Sequence, residues 1–366
     1  MKKRSWDKTL FFISLTLLVV GIFVFASAAI GLIEADTHSP LSLFFRQVLF
    51  GVGVGGVLFI AGLIIPFSFW QKTSGLFLGI AFLFLLLVFI PGIGIIAGGA
   101  ARWVELGPLS FQPAEPFKFA FVMYLAAWLT SHKKDISTFR SGLIPFLIMA
   151  GIVSVFFILQ PDIGTLFVIL GASALLFFVG GGQAKHIALA GILGLVLLSA
   201  LVIKEPYRLE RIQVFLNPQG DIEDSGYQLH QALIAIGSGD VSGRGFGQSI
   251  QKFHYLPESV GDAVFAVMGE EFGFIGSTFL VALFLFFLWR SVYILNRVPN
   301  HFARLFGAGI VIMIVFQSFI NIAAIIGIVP MTGIPLVFIS QGGSSLAITL
   351  ASIGILLHIS KYAQVS

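Results

Sequence analysis

The chain contains no cysteine, which excludes disulfides and thiolate-held metal sites. Charge is scarce as well: Asp, Glu, Lys and Arg make up 10% of its 366 residues. There is no basic tract and no zinc-ligand spacing, and the net charge is only +4, so nothing supports a nucleic-acid partner. What is abundant is apolar. With 57% hydrophobic residues and forty phenylalanines, a soluble domain of this length could not hide its apolar surface.

Ten apolar runs lie near residues 10–33, 42–65, 75–91, 114–131, 141–160, 164–181, 187–203, 263–289, 305–327 and 341–360. Each is long enough for a helix crossing a hydrocarbon core of about 30 Å. The expected fold is an all-α polytopic membrane protein, a single domain over residues 1–366 with about ten transmembrane helices. A large polar loop, Lys204 to Asp262, falls between the seventh and eighth. If the N-terminus is cytoplasmic and the spans alternate, thirteen of the 21 Lys and Arg residues face inward. Five of the remaining eight sit in the long loop, which is a clear positive-inside signal. Both termini are then cytoplasmic. Of the 17 acidic residues, only Asp7 and Asp135 fall inside, so the carboxylates gather on the extracytoplasmic side. Lys2-Lys-Arg4 followed by an apolar run and Ala26-Ser-Ala28 resembles a signal peptide. The run exceeds a usual signal core and nine more follow, which favours a retained first helix.

Two glycine motifs carry no chemistry. Gly51-Val-Gly-Val-Gly-Gly56 lies within a span and reads as small-residue helix packing. Gly180-Gly-Gly182 reads as a turn.

Other segments are more specific. Asp262 ends the long loop where the chain re-enters the apolar run starting at Ala263, and a carboxylate at such a boundary is a functional candidate by default. Glycines 237, 239, 243, 245 and 247 followed by Phe253, His254 and Tyr255 suit a folded lid better than a tether. Pro113 and Pro116 favour helix initiation, which places Glu115 and Lys118 three apart on one helical face. Two readings stand open for them. They form a structural ion pair, or Lys118, held by Glu115, faces an anionic headgroup together with Arg102. Asp162, in Gln160-Pro-Asp-Ile-Gly-Thr165, is either a helix cap or a site carboxylate. Arg208 and Arg211 could grip phosphate or form a solvated face. Gly226-Tyr-Gln-Leu-His-Gln231 opens a short amphipathic helix expected on the membrane surface. Glu270, eight residues after Asp262, is expected near the same face and in a shared polar cavity. From Asn321 to Ser345 the chain is Gly- and Pro-rich, and such broken backbone lines cavities. Ser340, Ser344 and Ser345 could act as donors there.

In this order the segments resemble the SEDS family of polytopic peptidoglycan glycosyltransferases, whose members include FtsW and RodA. The matching pieces are Gly99-Ala-Ala-Arg-Trp103, Gln112-Pro-Ala-Glu115 with Lys118, Gln160 to Thr165, Gly226 to Gln231 and Ala235-Ile-Gly-Ser-Gly239. They continue with Gly243-Arg-Gly-Phe-Gly247, Lys252, Leu256-Pro-Glu258, Asp262, Gly269-Glu-Glu-Phe-Gly-Phe-Ile-Gly276, and Pro330 to Ser345. Together they cover nearly the whole chain. Pro91-Gly-Ile-Gly94 and Gly327-Ile-Val-Pro-Met-Thr332 look closer to FtsW than to RodA. The chain departs from the family at Val260-Gly261, where His-Thr is usual, at Gln341 in place of tyrosine, and at Val337 in place of proline. Those departures put local loop geometry in doubt.

The resemblance implies that Asp262 is the residue essential for polymerisation. The implied substrate is lipid II at the extracytoplasmic face of the bacterial cytoplasmic membrane, and undecaprenyl diphosphate is the implied leaving group. An inverting transfer needs one base and cationic stabilisation of the diphosphate. Arg102, Lys118, Arg208, Arg211, Arg244 and Lys252 are the outer cations for that task, besides Arg46 and Lys204. No cofactor is certain. A divalent cation, Mg or Mn, stays open, with Asp262 or Glu115 as ligand. Implied partners are a class B penicillin-binding protein and membrane proteins of the division or elongation machinery. Two rivals remain: a lipid flippase or transporter, which expects ionisable groups through the full bilayer depth, and a non-enzymatic scaffold.

Overall fold

The structure is a computed structural model that describes residues 5–31, 44–45, 47–97, 100–106, 109–204, 215, 226–253 and 255–364. A helix occupies each of the ten apolar runs. They are α1 (Lys8–Ile30), α2 (Gln47–Ile64), α3 (Phe67–Leu87), α4 (Ala114–Ser131), α5 (Phe139–Leu159), α6 (Ile163–Val179), α7 (Ala184–Lys204), α9 (Val264–Leu295), α10 (His301–Ile325) and α11 (Gly343–Ser360), with the short α8 (Tyr227–Ser238) before α9. Among the described residues, seven helices are long and apolar enough to cross a membrane: α1, α2, α3, α5, α9, α10 and α11. The fold is that of a mostly helical, multi-pass membrane protein.

The centre of the bundle is α10 and α11, the two most enclosed of those seven. Helix α10 packs on α4, α6, α9 and α11, while α11 lies along α2. Close approach of α2 and α11 depends on glycine, as the small-residue reading expects. A Cβ at Gly62 would stand 2.7 Å from the Ala351 carbonyl oxygen, and one at Gly51 would stand 2.8 Å from Leu346 Cδ2. At the opposite end from Asp262, Asp7 caps α1 by accepting from Leu10 N at 2.8 Å and binds Arg290 on α9 at 2.6 Å.

The all-α expectation needs one correction. Strands β1 (Gly94–Ala97), β2 (Ala100–Leu106) and β3 (Leu109–Phe111) form a small antiparallel sheet between α3 and α4. The all-α expectation placed no strand there. The pairing Ile95 with Trp103 shows why strands form: β-branched and aromatic residues suit a pleated surface, and paired strands satisfy the backbone of a connection packed on the bundle. The amphipathic helix α8 is present, and its apolar residues Leu229, Ala232 and Ala235 are buried. It packs against α9.

Helix α9 is broken at Gly273, where φ is +63° and ψ −159°, a region essentially restricted to glycine. The break orphans two carbonyls and two amides, and the loop after α8 satisfies all four. Arg244 N and Gly245 N donate to the carbonyls of Glu270 and Glu271 at 3.0 and 2.9 Å. Phe274 N and Ile275 N donate to the carbonyls of Asp240 and Val241 at 2.9 and 3.1 Å. Backbone therefore replaces backbone where the helix is interrupted. A Cβ at Gly273 would sit 2.4 Å from Gly243 N. Gly273→Ala is expected to destabilise by about 2–4 kcal/mol, from strained backbone and overpacking together. Thermal melting in detergent checks this against Gly75→Ala, whose Cβ meets nothing within 4 Å and which should be neutral or slightly stabilising.

Candidate active site

Asp262 lies just before the first turn of α9 and is partly exposed. Its Oδ1 accepts from Gln228 Nε2 on α8 at 3.1 Å. Its carbonyl oxygen accepts from Asn321 Nδ2 on α10 at 2.8 Å, and the same amide donates to the Ile334 carbonyl at 2.7 Å. Asp262 is thus fixed from three directions: by α8, by α10, and through Asn321 by the irregular segment between α10 and α11. That segment turns where glycines 327 and 333 have positive φ.

One helical turn from Asn321 on the same face of α10 lies Gln317. Its Oε1 accepts from Lys118 Nζ at 2.7 Å, and its Nε2 donates to the Pro335 carbonyl at 2.9 Å. Lys118 also donates to Glu115 Oε1 at 2.8 Å, and both members of that pair are buried. Helix α4 starts after Pro113, so the three-residue spacing places the pair on one face as expected. Beside it a cavity of about 40 Å³ lies between α4, α10 and α11, with Ser345, Thr349 and Ser352 in its wall. That space suits ordered water and is too small for a sugar.

The other expected site residues divide. Arg102 on β2 donates to the Pro161 carbonyl at 3.0 Å and stands 3.9 Å from Asp162. Asp162 caps α6, accepting from Thr165 N at 3.2 Å. Its Oδ2 is buried without a hydrogen-bond partner among the described residues. Ser340 Oγ accepts from Leu336 N at 2.7 Å, and Ser344 Oγ from Gln112 N at 3.4 Å. Ser340 closes a turn of the broken segment, and Ser344 ties α11 to the start of α4. Arg244 is exposed and lies 3.6 Å from Glu270.

Two expectations change. Glu270 does not turn to Asp262. It accepts from Ser249 Oγ at 2.6 Å, Ile250 N at 3.0 Å and Gln251 N at 3.2 Å. The eight-residue spacing misled because Asp262 precedes the helix, so helical periodicity does not carry back to it. Lys252 is not presented as an outer cation: its ammonium is wholly buried, 2.8 Å from Glu271 and 3.1 Å from Ser27 Oγ. Arg208, Arg211 and His254 lie outside the described residues. Among the described residues no group of three or more His, Cys, Asp or Glu is gathered as a metal site.

Comparison with known proteins identifies this arrangement. A family model described as cell cycle protein, covering FtsW, RodA and SpoVE, matches residues 8–365. This chain belongs to the SEDS family. It is 41% identical to stage V sporulation protein E of Bacillus subtilis, over 99% of each chain. It is 37% identical to the probable peptidoglycan glycosyltransferase FtsW of Thioalkalivibrio sulfidiphilus, over 95% of this chain and 87% of the relative. Among solved structures, a chain from a study of polymerisation and crosslinking by a peptidoglycan synthase complex superposes with a TM-score of 0.78. The two share 27% identity over 97% of each chain. RodA of Thermus thermophilus gives 0.71 at 28% identity over 98% of each. The SEDS assignment expected from the motifs therefore holds, with FtsW-named proteins prominent among the relatives.

In this SEDS chain Gln317 was not among the expected site residues, Asn321 was named only as the start of the broken segment, and Gln228 only within a motif. The signal was present in the α10 residues: two amides four apart in an otherwise apolar run, which must satisfy their polar groups inside the bundle. Ser27 was hidden in a sequence that looked like a cleavage site. In the fold it donates to Glu271 at 2.6 Å.

Proposed function

We propose that this chain is a peptidoglycan glycosyltransferase that polymerises lipid II into glycan strands by inverting transfer. The observation that carries the reading is the partly exposed Asp262 carboxylate, oriented by Gln228 and joined through α10 to the Lys118–Glu115 pair. In the proposed step, the C4 hydroxyl of one unit's GlcNAc attacks the anomeric carbon of MurNAc on another. Its proton passes to Asp262, and the bond to undecaprenyl diphosphate breaks. Gln228 fixes the orientation of the Asp262 carboxylate, as a positioned general base requires. Arg102 and Arg244 are the exposed or partly exposed cations that suit the leaving diphosphate. Lys118, buried against Glu115 and Gln317, adds positive potential in a water-poor site, where such charge acts strongly. Asp262 and Glu115 would be the carboxylates for a divalent ion, Mg or Mn.

In this reading α4, α6 and α7 also cross the membrane, giving ten spans in one domain. Both termini are then cytoplasmic, and Asp262 lies at the extracytoplasmic face. A class B penicillin-binding protein is the proposed partner, supported by the likeness to a chain of a peptidoglycan synthase complex. The buried ionisable groups around Lys118 and around Lys252 favour the rival transport reading. Purified protein incubated with labelled lipid II in detergent tests the choice, alongside lipid II sidedness in sealed vesicles. Glycan chains without sidedness change are expected. Sidedness change without chains would reject polymerisation.

A further inference from the structure

The segment carrying Asp262 leaves the loop after Lys252 and returns through the first turns of α9. The base of this excursion is tied by two successive carboxylates. They are about 100° apart around the helix, and both hold the loop, meeting at Ser249, whose amide donates to Glu271 at 3.4 Å. Glu270 binds the loop itself, through Ser249 Oγ and the amides of Ile250 and Gln251. Glu271 binds Lys252 and, through Ser27, reaches across to α1. Lys252 Nζ also donates to Ser27 Oγ, closing a buried three-membered cluster. Ser249 is wholly buried, Glu270 and Glu271 are 1% exposed, and Lys252 is 2% exposed. The end of α1 is pressed against the same point, where a Cβ on Gly31 would lie 2.5 Å from the Lys252 carbonyl oxygen.

Above this base the excursion is held by its own turns. Leu256 N donates to the Gln251 carbonyl at 2.8 Å, while Gly261 N and Ala263 N share the Glu258 carbonyl at 2.9 and 3.1 Å. Among the described residues, the side-chain hydrogen bonds of Glu270, Glu271 and Lys252 go to the base of the excursion and to Ser27, so they act on Asp262 through the backbone that joins them.

We propose that Glu270 and Glu271, with Lys252 and Ser27, are positioning residues that fix where Asp262 stands. The proposal rests on the reading of Asp262 as the base. A displaced base loses rate steeply, because about 1 Å of misplacement can cost about 10²-fold. Substrate contacts made elsewhere are left intact, so the loss should fall on kcat.

The test compares wild type, Glu270→Gln, the paired variant Lys252→Met with Glu271→Leu, and Asp262→Asn, all as full chains with labelled lipid II. The paired variant removes both buried charges together, which avoids stranding one. Both clamp variants are expected to lose about tenfold in kcat with KM within about twofold of wild type. Hydrogen exchange should quicken at the amides of Leu256, Gly261 and Ala263, with α10 and α11 unchanged. If Asp262→Asn is inactive but both clamp variants keep wild-type kcat and exchange, the clamp proposal fails alone. Exchange that quickens throughout the bundle also overturns it, since the residues would then serve only general stability. If Asp262→Asn itself turns over normally, the base assignment fails, and the positioning role fails with it.

Discussion

Asp262→Asn is expected to lower the initial rate of glycan formation by about 10²–10⁴-fold, the usual contribution of a positioned general base, while leaving the melting temperature close to wild type. The substitution is nearly isosteric. Its amide keeps an oxygen that can accept from Gln228, and the backbone carbonyl that binds Asn321 is untouched. What disappears is the capacity to take a proton from the attacking hydroxyl. Because the side chain is partly exposed at the end of the bundle, little packing is disturbed. Initial rates and thermal melts on the same preparation check both halves. A large drop in melting temperature would mean that Asp262 holds the fold together, and the loss of rate would then carry no mechanistic weight.

The second large effect concerns Lys118. Lys118→Met strands the Glu115 carboxylate, which is 5% exposed, and removes the donor to Gln317. Breaking a buried pair on one side destabilises by about 3–5 kcal/mol. Adding Glu115→Leu removes the stranded charge, and stability should return to within about 1 kcal/mol of wild type. Turnover should not return. If Lys118 supplies positive potential to the leaving diphosphate, the paired variant stays about 10²-fold slow. Lys72→Ala, exposed on α3, should be near wild type in both measurements. Melting curves and initial rates on all three variants separate the two roles that sequence left open. A paired variant that regains full turnover would make Lys118 structural only.

The helices were legible because each is a long apolar run, and a bilayer-length run has few other solutions. Pro113 and Pro116 announced α4, and Asp162 announced the start of α6, since both signals are local. The sheet around Arg102 was not legible: its strands are three to seven residues long, and pairing decides them more than composition does. Within the site, Asp262 and the Glu115–Lys118 pair could be read from position and spacing. The spacing of the α10 amides Gln317 and Asn321 marks them as satisfied inside the bundle, but their partners, Lys118 and segments beyond the helix, are set by the fold alone. The reading of Lys252 as an outer cation failed for a related reason. The partner of Lys252, Glu271, is 19 residues away and Ser27 is far upstream, and only the fold reveals that a nominally water-facing cation is buried against them.

Single-turnover elongation by Asp262→Asn, with bound lipid II quantified in the same samples, tests the central claim most directly. The account predicts substrate bound as tightly as by wild type and glycosidic bonds formed about 10²–10⁴-fold more slowly. Glycan chains formed at the wild-type rate from that bound substrate would contradict it.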